Sequence, residues 1–575
     1  MDNSRPFGKP YDKFESELII GARSEDPRPQ PGTEDKRQPP FVLCSLVLCF
    51  TAGSWVLGSG FPAPIILTMP YDYDLIVVGA GTGGSVVAAR ASEEPGIRVL
   101  LVESGPDYPN VEALPEDLRN VNHGSFFDHD WGLRYTPSST SRTVPFARGR
   151  VVGGSSAVNT AIALRGSASD YDGWAALGNP RWTWEQVLPA FIKLETDVDF
   201  DGPLHGKSGP LPVRRHTRDE LVPYQAAFLD AGRELGYPER PDHNDHTTTG
   251  YGPHPMNKRG TLRISNAIAY LGPARGRSHL HVSAGTDVRR VVFRDGNVAG
   301  VEVRKGGGIE TVTAPHVVLA CGAIHTPAVL VRSGIGPRDV LDRLGVAVER
   351  ALAGVGRHLQ DHPAIGPTLA PKPGVADWDQ PVIQTTMYYT AAGFDDFNDM
   401  QIEPLSFMHI AGAAPLLLGM AACVFKSYSF GRLEFESAGI DAKPRIVMDY
   451  LSDERDFVKL REGLLRAVEL CHTKSIREVA DEIKRPTDAE LADAASLEAW
   501  IRRNCATGAH PSCTARMGPP DDPTAVVDEL GRVHGVHGLR IADASVMPRV
   551  PSANTNVPTI MLAERIAEWL RADIA

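Results

Sequence analysis

Seven cysteines in 575 residues, Cys44, Cys49, Cys321, Cys423, Cys471, Cys505 and Cys513, lie too far apart to form the close pairs of a zinc site or a CxxC redox motif. Their odd number excludes a complete disulfide framework, so free structural thiols are expected and no metal is implied. Basic charge is also short. Lys and Arg number 59 against 71 Asp and Glu, a net charge of −12, and no long Lys/Arg run occurs. That balance argues against a nucleic-acid partner or an anionic membrane surface. Hydrophobic residues at 42% and charged residues at 23% exclude wholesale disorder and a polytopic membrane protein. The length exceeds what one core holds, so two or more lobes are expected.

Residues 1–37 are polar and rich in Pro, Asp, Glu and Arg, too poor in apolar groups to build a core. From Gln38 to Tyr71 no side chain is charged, and Phe41 to Leu57 is an apolar run about as long as a short membrane span. Three readings of residues 1–70 are open. The apolar segment 41–66 is a membrane anchor, or the h-region of a signal, or part of a leader upstream of a true start at Met69. The last is favoured, because MPYDYDLIVVGAG opens a nucleotide-binding strand almost at once, and it gives a cytoplasmic protein that meets a membrane only if the segment is a genuine anchor.

Tyr73 to Val78 is a short β-branched run leading into Gly79, Gly81, Gly83 and Gly84 with Thr82 among them, followed by SVVAARAS at helical spacing. This strand, glycine turn and helix is the fingerprint of a dinucleotide site: the glycines let backbone approach a pyrophosphate that sits at the positive end of the helix. IRVLLVE reads as the next strand, and it closes on Glu103, about 20 residues after the turn, where an acid accepts hydrogen bonds from an adenosine ribose. The fingerprint alone does not separate FAD from NAD.

Three further blocks carry a specific resemblance. The first is Arg148-Gly-Arg-Val-Val152-Gly153-Gly154-Ser155-Ser156-Ala-Val158-Asn159, continuing to Trp174. The second is Gly322-Ala-Ile-His-Thr-Pro327 through Pro337, followed by Val355-Gly-Arg-His-Leu-Gln-Asp361-His362. The third is Ala509-His510-Pro511-Ser-Cys513-Thr-Ala-Arg-Met-Gly518, then Arg532 to Pro548 with Asp543 and Ala544, then Asn554-Thr-Asn556. In this order they resemble the signatures of the glucose-methanol-choline oxidoreductases, over residues 71–571, with Cys513 standing where the family usually has glycine. The resemblance implies an α/β fold: a doubly wound, Rossmann-like FAD-binding domain with a discontinuous substrate-binding domain. It divides the chain into an FAD region at 71–338, a connecting and substrate-cap region at 339–424 and a C-terminal catalytic region at 425–571. It adds Ser104, Arg148, Val152, Gly154, Ser155, Asn159, Val288 (beside the adenine), Gly322, Ala509, Asp543 and Ala544 to the cofactor residues. Val158 occupies the position where some relatives attach FAD through histidine, so a non-covalent FAD is implied. Outside these blocks, a ribbon over His281 to Glu302 turning at Asp295-Gly296-Asn297, and helices Asp453 to His472 and Thr487 to Asn504, the latter with a Thr487/Glu490 capping box, are expected.

Oxidising an alcohol needs loss of the hydroxyl proton and transfer of hydride to flavin N5, because the developing alkoxide expels the hydride. The resemblance makes His510 the base and Asn554 the donor to the substrate oxygen, with Asn556 able to supply the same amide. Imidazole suits the task because its pKa lies near working pH. The partners are then a small alcohol and an electron acceptor, whether oxygen, a quinone or a carrier, that the sequence does not specify. Around His362 to Asp399 the chain is short for the family, and no anionic or aromatic cage for a quaternary amine is legible. Competing readings are an NAD-dependent dehydrogenase, a flavin-dependent lyase or photodecarboxylase on the same fold, and a flavin-bound protein without catalysis.

Overall fold

A computed structural model describes residues 71–125, 128–138, 143–408 and 416–574. The leader, with its apolar segment, lies outside the described residues, as do Cys44 and Cys49. Among the described residues no helix is long and apolar enough to cross a membrane, and Cys321, Cys423, Cys471, Cys505 and Cys513 are free thiols.

A five-stranded parallel sheet runs in the order Leu280–Ser283, Val99–Val102, Leu75–Val78, His316–Leu319, Leu539–Ile541. Its central strand, Leu75–Val78, is buried at every residue, as a β-branched run covered on both faces must be. Full burial of each of these side chains contributes about 1.5–3 kcal/mol. The helix Thr82–Ala91 follows that strand and packs on the C-terminal helix Asn556–Ile574. Arg90 donates from Nε to Glu564 at 2.9 Å, and Tyr270 Oη donates to the same buried carboxylate at 2.8 Å. The expected doubly wound sheet is therefore present, and it sets the first glycine turn beside the turn that opens the helix Gly322–Arg332.

An antiparallel sheet forms the second layer. Its strands run Ala480–Arg485, Thr368–Pro371, Leu417–Val424, Met400–Met408, Thr385–Tyr389, Gly250–Pro253, with Pro363–Ile365 bridging Leu417–Val424 to Ala506–Thr507. It draws strands from all three stretches of sequence, so the spatial unit is discontinuous. The helix Glu454–Cys471, capped by the Asp453 carboxylate, covers one face. A Cβ added at Gly463 would meet Met400 Cε at 2.6 Å and Ala422 Cβ at 3.0 Å, which leaves no room for a side chain there. Because strand residues alternate, packing Met400 and Ala422 under the helix turns Gln401, Glu403 and Cys423 to the opposite face.

Two local expectations differ in detail. The helix expected over Thr487 to Asn504 is two helices, Asp488–Ala492 and Ala494–Asn504; the Thr487/Glu490 capping box forms, but Asp493 accepts from Ser496 N–H at 2.7 Å and starts a new helix. The ribbon is Asp287–Arg294 with Asn297–Lys305, turning through Asp295 and Gly296 at φ 52° and 76°, while Leu280–Ser283 joins the parallel sheet instead.

Candidate active site

One cavity of about 680 Å³ connects the glycine turn to the antiparallel sheet. At one end the backbone of the glycine turn borders the cavity because side chains are excluded around it. Gly79 has φ 94°, and a Cβ there would lie 2.6 Å from Ala320 O; a Cβ at Gly83 would lie 1.9 Å from Ala542 O. Gly81 is the N-cap of the helix, with no side chain to satisfy the first N–H groups and no acid in the first turn. Those donors face the cavity, the arrangement that receives a phosphate.

Glu103 lines the same end. Its Oε2 accepts from Ala80 N–H at 2.9 Å and its Oε1 from Gly105 N–H at 2.8 Å, so it holds the turn while its remaining lone pairs stay open. Burial pushes its carboxyl up to about 7 against the pull of those N–H groups. Asp543 accepts from Gly322 N–H at 2.9 Å, Thr326 Oγ1 at 2.6 Å and Ser545 N–H at 2.8 Å, tying the second turn to the C-terminal block; burial raises its carboxyl too.

Of the other expected cofactor residues, Thr82, Ser104, Arg148, Gly154, Ser155 and Asn159 line the cavity, as do Val288, Gly322, Ala509 and Ala544. Gly84 and Val152 do not. Gly84 faces the strand, where a Cβ would come within 1.8 Å of Gly79 O, and so serves helix packing; Val152 is buried and its N–H donates to Pro106 O. Arg148 and Asn556, both lining the cavity, carry donors without partners among the described residues. Arg148 donates from Nη1 to Ala509 O at 2.9 Å, yet its Nε and Nη2 are buried and unpaired, and desolvation pushes the guanidinium down to about 10. Asn556 accepts from Thr82 Oγ1 at 3.0 Å while its Nδ2 is buried and unpaired. Buried donors without acceptors cost about 1–3 kcal/mol each. An anionic, acceptor-rich dinucleotide such as FAD fits this donor set.

At the other end His510 and Asn554 meet. Asn554 Nδ2 donates to His510 Nε2 at 3.0 Å, and the two Nδ1 atoms of His510 and His362 lie 2.9 Å apart. His362 Nε2 is 3.1 Å from Pro551 O. A carbonyl only accepts, so His362 carries its proton on Nε2, its Nδ1 accepts, and His510 donates from Nδ1. The chain of bonds therefore leaves His510 Nε2 unprotonated and turned toward Asn554. Asp361 fixes the backbone of both histidines: its Oδ1 accepts from His362 N–H at 2.8 Å and His510 N–H at 2.7 Å, and its Oδ2 accepts from Tyr450 Oη at 2.6 Å and from Thr507 Oγ1. The His362 ring stacks on Phe425 at 4.3 Å between centroids.

Desolvation, with the neighbouring His362 and Arg148, holds the His510 imidazole well below its ordinary value, and burial brings His362 down to about 4. Both rings are neutral at physiological pH. Ala509 and Cys513, on either side of His510, have φ 68° and 72°, a left-handed conformation costing an L residue about 1 kcal/mol or more. The glycine that the resemblance implies at position 513 would relieve this strain, and this chain carries a cysteine in its place.

Sequence reasoning did not give His362 a role, although its motif was visible. It also missed Gln401, Glu403 and Cys423, which line the cavity beyond His510. No motif marks them; only the sheet register brings them there.

Residues 73–364 and 427–563 match two family models, each described as GMC oxidoreductase. A 5-(hydroxymethyl)furfural oxidase of Methylovorus sp. (strain MP688) is 37% identical over 527 residues, covering 86% of this chain and 98% of the relative. An oxygen-dependent choline dehydrogenase of Vibrio vulnificus (strain YJ016) is 34% identical over 539 residues, covering 87% and 95%. Among solved structures, pyridoxine 4-oxidase from "Mesorbium loti" superposes with a TM-score of 0.80 at 30% identity, covering 87% of this chain and 99% of that one.

Proposed function

Since this chain belongs to the GMC oxidoreductase family, an FAD-dependent enzyme class acting on CH–OH donors, we propose that it oxidises a small alcohol with His510 as the base. FAD, when bound, supplies the hydride acceptor. The glycine turn, the N-terminal N–H groups of the helix Thr82–Ala91, Glu103 and Arg148 would hold it, without a covalent bond because Val158 offers no attachment.

The observation that carries the reading is the run of hydrogen bonds from Asn554 through His510 and His362 to Pro551 O. It presents a lone pair at His510 Nε2, where an alcohol hydroxyl would give up its proton. The Asn554 amide, now 3.0 Å from that nitrogen, is in reach of the same oxygen and would donate to it as negative charge develops. His362 holds the tautomer, and Asp361 holds both backbones. Burial keeps water from competing for the base. Relatives named for 5-(hydroxymethyl)furfural, choline and pyridoxine, all hydroxymethyl or hydroxyethyl compounds, support an alcohol substrate.

Anaerobic titration of the yellow holoenzyme with primary alcohols tests this. Bleaching of the flavin absorbance by an alcohol is expected. A flavin that no alcohol reduces, yet dithionite does, would overturn the assignment.

A further inference from the structure

The cavity does not end at His510. The strand residues facing away from the helix Glu454–Cys471 form its far wall, and they include an acid. Glu403 lines the cavity. Its Oε2 is held by His254 Nε2 at 2.8 Å, and Oε1 takes no hydrogen bond from any described residue. His254 is buried, with its backbone N–H donating to Gln384 O at 2.9 Å. Its Nδ1 is buried without a partner among the described residues. The pair leaves Glu403 Oε1 as the free acceptor on this wall. The next cavity-facing residue on the strand, Gln401, spends its Nε2 on Tyr388 Oη at 3.4 Å, which turns its Oε1 to the cavity as a second acceptor.

Register sets the distance. Ala364, two residues after His362, pairs with Cys423, which pairs with Gln401; Glu403 lies one same-face step further along. Two strand spacings of about 4.8 Å and one same-face step of about 6.7 Å put the Glu403 backbone about 12 Å from Ala364. Arg240, on this side, lies over the Tyr388 ring and is engaged with Thr248 Oγ1 and the His243 and Asp245 carbonyls.

We infer that Glu403, positioned by His254 and assisted by Gln401, binds a protonated amine at the end of the substrate remote from the carbinol, so that this enzyme prefers cationic amino alcohols. The inference rests on the alcohol-oxidising reading above. It assigns the far end of the cavity rather than its chemistry. A carboxylate with one free oxygen attracts an ammonium, accepts from a neutral hydroxyl more weakly, and repels an acid.

Three benzyl alcohols of one shape test it by anaerobic flavin reduction: 4-(aminomethyl)benzyl alcohol, 4-methylbenzyl alcohol and 4-(hydroxymethyl)benzoate. The ammonium compound should exceed the methyl compound at least tenfold in kcat/KM, with the carboxylate slowest. In Glu403→Gln holoenzyme of full FAD content the preference for ammonium should fall at least tenfold. Equal use of the three, preference for the benzoate, or a preference unchanged in Glu403→Gln would overturn the inference while leaving alcohol oxidation standing. Binding of 4-methylbenzylammonium, which has no carbinol, read from its perturbation of the flavin spectrum in unaltered enzyme and compared with 4-xylene, tests the site separately. Tenfold tighter binding of the ammonium supports it even if no alcohol reduces the flavin, and equal binding counts against it even if the variant fails to fold.

Discussion

His510 Nε2 accepts a hydrogen bond from Asn554 at 3.0 Å while its Nδ1 donates to His362 at 2.9 Å, so both ring nitrogens have assigned roles before any substrate arrives. The base is preset by a carbonyl two hydrogen bonds away, Pro551 O, which accepts from His362 and so sets which nitrogen of each ring is bare.

Removing the base should separate proton transfer from electron transfer. His510→Ala should keep its FAD and still be reduced by dithionite, while alcohol-driven reduction slows by about a hundredfold to ten-thousandfold, the usual worth of a positioned base. Raising the pH should restore part of the rate by supplying alkoxide. An alanine variant as fast as the parent in stopped-flow reduction would remove His510 from the mechanism.

The role of His362 is positional, and its test is whether an acceptor suffices. His362→Phe keeps a ring against Phe425 but cannot accept from His510 Nδ1–H; His362→Gln can. We expect alcohol-driven reduction to fall about ten- to a hundredfold in the phenylalanine variant and to recover substantially in the glutamine variant. Equal losses in both would mean that the histidine matters for packing alone.

The pH profile follows from burial. His510 is held well below its ordinary value, and a depressed base keeps its lone pair as pH falls until that lower value is reached. Alcohol-driven reduction should therefore stay level down through pH 6.5 and drop only in more acid solution. A rate that halves near pH 6.5 or above in single-turnover measurements would show that the ring is not desolvated in the working enzyme.

Much of this was legible in the sequence because the nucleotide end is built from backbone. Gly79 and Gly83 leave no space for a Cβ, and that constraint writes itself as a glycine motif. His510 and Asn554 were legible for a different reason, the resemblance of the blocks around them. Glu403 was not, because its place depends on pairing with Ala421 and on which face of Met400–Met408 the helix Glu454–Cys471 covers. Nothing local in the sequence records that choice. Asp493 misled in the opposite way: a residue inside a helical pattern became a cap, since its short carboxylate reaches the Ser496 N–H more readily than it continues the helix.

Val158 bears on how the cofactor is held. With no histidine at that position, acid precipitation should release all yellow colour into the supernatant. Colour retained in the pellet would reveal an attachment elsewhere.

Glu103 makes cofactor binding itself pH-dependent. In the cofactor-free pocket burial raises its carboxyl to about 7, above the ordinary carboxylate range, so below that pH the group takes up a proton. Ribose hydroxyls donate to a carboxylate, and a protonated carboxyl gives up one acceptor site for an O–H of its own. FAD binding should therefore favour the ionised form: affinity rises as pH increases through about 7 and levels off above it, and bound FAD should in turn draw the carboxyl down. Glu103→Gln removes the titration while keeping the shape. Its affinity should be lower than the parent's by about tenfold at pH 8, the loss of one or two charge-assisted hydrogen bonds, and should vary little between pH 6 and 8. Residual holoenzyme of that variant should still be reduced by alcohol at close to the parent rate, because Glu103 lies at the nucleotide end and not beside His510. Fluorescence titration of apoprotein with FAD at several pH values checks both slopes. Parent and variant curves that rise together with pH would assign the dependence to another group and leave Glu103 a purely structural clasp on Ala80 and Gly105.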